Sequence, residues 1–333
     1  MNLLTKQIIQ SAVVGFLLPA LLLMAVLGAS AQSPPTETAP SGSKVTLPRP
    51  TTQPTQVQLP LFLPVLHQGN VENWDIEEYL VGVLLAEMPA DFEMEALKAQ
   101  AVAARTYALK CHHLGYKHKG AICTEGTCCQ GYLLEEEYMA RGGTREGVDK
   151  IREAVLATAG EVLVYEGELI VATYFSCSGG STEDASAVWG QEYPYLQAVP
   201  SPGEEYATCF SDEKSFTPQQ LQSVLGLSME SDPESWLGEM THTEGAGVDT
   251  LLIGGVSYRG TTLRSLLGLR STQFTVEFAD GRFIFSTLGY GHRVGMSQYG
   301  ADAMAKGGSG YRDILLHYYR GTELVQMDLE KIS

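Results

Sequence analysis

Glu87 is followed by Met88 and Pro89, and it stands where one apolar helical pattern breaks and another begins. A proline disfavours helix at the residue before it. The helix carrying Tyr79, Leu80, Val83 and Leu84 is therefore expected to end near Glu87, which puts a carboxyl at an element terminus instead of on a solvated face. Asp91 is expected to cap a second helix, in which Met94, Leu97, Ala101, Ala104 and Ala108 form one apolar stripe. Lys98 and Arg105 share a face of that helix and can turn toward Glu87. One acid with two cations nearby is a candidate site for general acid-base chemistry. A second constellation gathers Cys111, Cys123, Cys128 and Cys129 with His112, His113 and His118. Disulfide pairing and a tetrahedral zinc site both fit this spacing. Adjacent cysteines do not readily pair with each other, which leans toward metal. Cys177 and Cys209 lie far from the cluster.

The elements that must position these groups are mixed. Residues 147–157 read as helix, and 162–165 with 169–174 as a hairpin turning at Glu166-Gly167-Glu168. Residues 274–278 and 282–286, joined by Ala279-Asp280-Gly281, read as a second hairpin, and 311–319 as a final amphipathic helix. There is no regular strand-helix alternation and no glycine-rich phosphate loop. The expected class is α+β, a single mixed globular domain over residues 61–333.

Composition bounds the function. The chain has 333 residues, 44% of them apolar, and a net charge of -17. That is enough apolar content for a substantial core, and the acidity argues against a nucleic-acid partner. Residues 11–31 are an almost unbroken apolar run without charge, long enough to span a bilayer. Residues 1–31 are read as an N-terminal membrane anchor, with a cleavable signal segment ending at Ala29-Ser30-Ala31 as the alternative. Both place the rest of the chain outside the cytoplasm. Residues 32–60, rich in Pro, Thr and Ser, read as an extended linker.

Three ordered blocks carry a resemblance. They are Glu78 to Val83 (E-Y-L-V-G-V) with Glu87-Met88-Pro89 and Glu95 to Thr106 (E-A-L-K-A-Q-A-V-A-A-R-T), then Ser176 to Thr182 (S-C-S-G-G-S-T), then Gly289 to Ala301 (G-Y-G-H-R-V-G-M-S-Q-Y-G-A). Together they closely resemble the stage II sporulation protein D family of peptidoglycan lytic transglycosylases, over about residues 70–325. One departure is Arg293, where the family more usually has glycine.

The resemblance implies cleavage of the β-1,4 bond between N-acetylmuramic acid and N-acetylglucosamine, with Glu87 as catalytic acid and base. It implies glycan contacts from Lys98, Gln100, Arg105, Tyr174, Ser176, Ser178, Gly179, Gly180, His292, Gln298 and Tyr299. Some members bind zinc in the region after the A-A-R-T helix, which makes His118, Cys123, Cys128 and Cys129 the expected ligands of a structural zinc. A catalytic zinc with an open position at Cys128 is the counter-reading. The family acts in engulfment during endospore formation, on peptide-stripped strands, alongside an amidase and a membrane protein. A raised pKa is needed for a general acid near neutral pH, yet Lys98 and Arg105 would favour a charged carboxylate. They are therefore expected to face the substrate, binding the lactyl carboxylate or stabilising developing charge. Two rivals stand beside this reading: a cysteine peptidase using Cys177 or Cys128 with His292, and a non-catalytic wall-binding enhancer of an amidase.

Overall fold

The computed structural model describes residues 61–115 and 118–327. The expected anchor and linker lie outside the described residues. Among those described, no helix is long and apolar enough to cross a membrane.

The fold is a mixed α/β globular arrangement built on one central helix. Strands Phe62–His67 and Asn70–Asp75 form an antiparallel hairpin, and Ile122–Cys123 pairs with the first of them in parallel. Helix α1, Ile76–Glu87, starts where Asp75 accepts hydrogen bonds from the backbone N–H groups of Glu77 and Glu78. It stops at Met88, whose extended backbone is what the following proline demands. Helix α2, Met94–Leu114, follows. Its alanines present little bulk, so helices pack close on every side, and the expected single stripe is replaced by burial almost all round. Asp91 does not cap it. The N-cap is Glu93, and the carboxylate of Asp302, from far along the chain, accepts from the Glu93 N–H at 2.7 Å. Gly115 ends the helix in the left-handed conformation.

Helix α3, Arg145–Ala157, packs against both earlier helices. Strand Glu161–Tyr165 turns through Glu166 and Gly167, both at positive φ, and pairs with Glu168–Leu169. The expected hairpin stops there. Tyr174–Phe175 pairs in parallel with Met296–Ser297 instead, because the loop following Leu169 carries it across the core to the cavity wall described below.

Residues from about 211 to 288 surround a second apolar core of Leu221, Trp236, Val248, Leu251, Ile253, Leu263, Phe274, Phe283 and Phe285. One sheet is Leu237–His242, Val248–Ile253 and Val256–Arg259, followed by helix α4, Gly260–Leu267. The other is the hairpin Gln273–Ala279 and Arg282–Leu288, with Ser211–Phe216 on its free edge. Asp280 and Gly281, both at positive φ, make its two-residue turn. The chain then returns to the first core with helices α5, Gln298–Lys306, and α6, Tyr311–Tyr318, which pack on α2.

Candidate active site

A cavity of about 570 Å³ opens beside the end of α1. Glu87 and Ala86 form one wall, Thr173 to Ser176 a second, Tyr290 to His292 a third, with Tyr107, Gly126, Cys129 and Gln298 completing it. Among these lining residues Glu87 is the sole carboxylate, and no lysine or arginine is present.

The Glu87 carboxyl is half-buried, and burial raises its pKa above the ordinary glutamate value. Two amides pull the other way without overcoming that. The Gly131 N–H donates to its Oε1 at 2.8 Å. Gln298 lies beside the carboxylate and also favours its charged form, although its buried Nε2 makes no hydrogen bond of normal geometry.

The cations of α2 do not share this site. Arg105 is fully buried, and its guanidinium grips both Glu77 oxygens (3.0 and 2.5 Å) and the carbonyls of Glu161 and Val155. Its neighbour Thr106 accepts from the Leu163 N–H at 3.0 Å. The A-A-R-T segment thus holds a strand and a helix together, and Arg105 is enclosed away from the cavity, not facing a substrate. Lys98 pairs with Glu95 at 2.7 Å, and Glu95 accepts from the Tyr311 N–H, so both fasten α2 to α6. Gln100 is enclosed, with neither amide atom hydrogen-bonded, and does not reach the cavity.

The later blocks divide. Tyr174, Ser176, His292 and Gln298 line the cavity. Ser178 does not: its hydroxyl and N–H both donate to the buried Glu204 carboxylate, at 2.7 and 2.6 Å. Gly179, at φ 78°, is packed so closely that a Cβ would meet Gln273 Oε1 at 2.8 Å. Gly180 is exposed but away from the cavity, and Tyr299 packs its ring on Phe92 and Tyr206. Apart from Ser176 on the cavity wall and the exposed Gly180, this run therefore builds a buried knot and not an open sugar groove. His292 accepts at Nδ1 from the Val294 N–H, and burial, reinforced by the charge of Arg264, drives its pKa down to about 4. It is neutral at physiological pH. Cys177 is buried, and burial together with Glu204 pushes its thiol up, the opposite of what a nucleophilic cysteine needs.

Arg293 keeps the backbone shape that glycine would give, at φ 65°. Its buried side chain holds that strained position by donating to the carbonyls of Ser178 (2.7 Å), Ser181 (2.9 Å) and Gly245 (2.7 Å), and to Glu183 Oε1 (3.2 Å). Gly245 belongs to the turn between two strands of the second core, so this residue ties the two cores together.

His118, Cys123, Cys128 and Cys129 each offer one donor atom, and the four atoms all lie within 4.8 Å of one another. His118 Nε2 is 3.3 Å from Cys128 Sγ, which is 3.9 Å from Cys129 Sγ. Three thiols and one imidazole converging on a common centre fit a closed tetrahedral zinc site. The cluster borders the cavity through Cys129. Two residues missed as site formers follow at once. Gln130, fully buried, donates to Tyr174 Oη (2.8 Å) and accepts from Tyr79 Oη (3.2 Å), and Gly131 holds Glu87. Gln130 had a signal in its place directly after the cysteines; a backbone N–H such as that of Gly131 leaves none.

The site thus joins a single half-buried acid to a thiol-imidazole cluster at the edge of the same cleft. Comparison with known proteins narrows this. A family model described as "Stage II sporulation protein" matches residues 67–165. Stage II sporulation protein D of Bacillus subtilis (strain 168) is 38% identical over 277 residues, 81% of this chain and 80% of the relative. That of Bacillus amyloliquefaciens is 36% identical over 284 residues, covering 83% and 82%. A Bacillus subtilis protein named "Amidase enhancer" is 32% identical over 298 residues, 74% of this chain but 40% of that protein. The chain belongs to the stage II sporulation protein D family.

Proposed function

We propose that this protein is a peptidoglycan lytic transglycosylase in which Glu87 serves as both acid and base. The observation that carries the reading is the lone, half-buried Glu87 carboxyl on the cavity wall, with its pKa raised by burial. Protonated Glu87 donates to the bridging oxygen as the muramyl C1–O bond breaks. The muramyl 6-hydroxyl oxygen then bonds to C1, and its proton returns to Glu87, leaving a 1,6-anhydro end. No water is consumed, so no second carboxylate is required, in contrast to the paired acids of most glycosidases. Ser176 and the walls carrying Tyr174 and His292 offer donors, acceptors and ring faces to sugar hydroxyls and acetamides.

His118, Cys123, Cys128 and Cys129 would hold zinc with four protein ligands. A closed set supplies folding energy and leaves no position for an activated water, so the metal is structural in this reading. The loop it would fix presents Gln130 and Gly131 to the site. The protein is further proposed to sit in the cell membrane through residues 1–31, with its cleft outside, and to work beside an amidase and a membrane protein during engulfment.

The test is mass spectrometry of peptide-free glycan strands incubated with the full chain and with its Glu87→Gln variant. Products ending in 1,6-anhydro-muramic acid, absent with the variant, support the reading. Reducing ends would indicate hydrolysis, and intact strands that co-sediment with the protein would favour an amidase-enhancing binder.

A further inference from the structure

His292 stands on the cavity wall as a neutral ring whose Nδ1 already accepts from the Val294 N–H at 3.1 Å. Its faces carry two further rings. Phe175, also on the wall, packs on it with centroids 5.6 Å apart, and Trp189 packs on it with centroids 5.4 Å apart and planes at 50°. Trp189 thus stands one ring beyond the lining residues, and its side chain is 40% exposed. The chain holds it firmly there. Trp189 closes the short helix Ala185–Trp189, which Asp184 caps by accepting from the Ser186 N–H at 2.7 Å and which Gly190 stops in the left-handed conformation. Arg259, at the end of a strand of the second core, donates to the Ala187 carbonyl at 2.8 Å, and the Ala185 N–H donates to the Leu196 carbonyl at 3.0 Å. Both other tryptophans have their indole N–H paired, Trp74 with Glu72 and Trp236 with the Ser231 carbonyl, each at 3.1 Å. Among the described residues the Trp189 N–H has no hydrogen-bond partner.

A firmly held, exposed indole with an unpaired N–H offers an apolar face and a hydrogen-bond donor together. A β-1,4-linked N-acetylglucosamine residue matches both. Its ring substituents are equatorial, so each face of the sugar is a patch of C–H groups, while its hydroxyls and acetamide lie around the edge. It is also uncharged, and no lysine or arginine lines the cavity. Resting on the glycan-cleaving reading, we infer that Trp189 is a stacking platform for the N-acetylglucosamine residue next to the muramyl residue cleaved at Glu87, with the His292 ring supporting the indole at the edge of the cavity. Such a contact lies away from the breaking bond and is made equally in the ground and transition states. Its loss therefore raises KM more than it lowers kcat.

The experiment uses the full chain carrying Glu87→Gln and, as probe, a soluble oligomer of β-1,4-linked N-acetylglucosamine, which has no lactyl group. Acrylamide quenching of tryptophan fluorescence reports chiefly on Trp189, because Trp236 is buried and Trp74 half-buried. The oligomer is expected to shield the exposed indole from quenching. Trp189→Ala should abolish the shielding and weaken binding about 10-fold by calorimetry, and Trp189→Tyr, which keeps a ring, should recover most of that affinity. The shielding is read on the parent chain and so decides the matter even if the alanine variant does not fold. No shielding there, or unmoved affinity in a folded Trp189→Ala variant, overturns the platform. The glycan-cleaving reading is judged separately, by anhydro-end release from peptide-free strands with Glu87 in place. Release with KM raised by Trp189→Ala supports both readings, whereas release with KM unmoved overturns the platform and leaves the transglycosylase standing. Shielding by the oligomer without any release keeps Trp189 as a sugar platform and sinks the transglycosylase.

Discussion

At the scale of the residue, Glu87 combines a charge that is costly in the fold with the position that chemistry needs. Because burial raises its pKa, the folded state binds a proton more tightly than the unfolded chain does. Its contribution to stability is full below the ordinary glutamate pKa and is lost as pH rises through the raised one. Glu87→Gln should therefore raise Tm at neutral pH and leave it nearly unchanged near pH 4, as read by thermal unfolding at both. Turnover should fall along the same upper limb, since only the protonated acid donates, and a pH-rate profile that rises through neutrality would exclude this role. The placement of Glu87 at a helix end was legible because Pro89 announces that end. The fate of Arg105 was not, because its partner Glu77 sits on a different helix and Glu161 and Val155 come from elements further on. A helix face read in isolation shows where a cation points, not what has already claimed it.

At the scale of the element, the loop from His118 to Gly131 decides the site. Gly131 is close enough to Glu87 that a Cβ there would meet Oε1 at 2.8 Å. Its backbone is not in the positive-φ region, so Gly131→Ala displaces the carboxylate without straining the chain. The variant should keep its fold, with a stability change within about 1 kcal/mol. Its turnover should drop on the order of 100-fold, the scale of a misplacement near 1 Å; anhydro-product release and thermal unfolding measured together check this. If the proposed zinc is held there, its removal with a chelator should loosen the same loop, lowering both Tm and turnover, with metal return restoring both; retained activity at unchanged fold would remove zinc from the account. The hairpins were legible from Glu166-Gly167 and Asp280-Gly281, whose left-handed turns are written locally. The pairing of Tyr174–Phe175 with Met296–Ser297 was not, since partners so far apart in the chain leave no mark on either segment.

At the scale of the whole molecule, two cores are held in register through a buried charge pair. Burial pushes Arg293 down to about 10 and Glu183 up, each toward neutrality, and Glu183 Oε2 has no partner. Breaking such a pair from one side leaves the other charge stranded. Arg293→Ala should destabilise by about 3 to 5 kcal/mol, and adding Glu183→Gln should recover part of it, a non-additivity that urea unfolding of the three variants would measure. The mixed α/β class was legible from the absence of a repeating strand-helix pattern. The second core was not, because its alternating strands look the same whether they join the first core or build their own.

The cap that Asp302 places on α2 has a consequence for the order in which the protein is made. The helix that follows Glu87 receives its N-terminal acceptor from a residue synthesised some two hundred positions later, and Gln298 comes from the same late helix. A nascent chain that has passed the acid and the cysteines still lacks the far wall of its own cleft. Competence arrives only when the last helices dock, so a chain cut short before them would be left without a finished site.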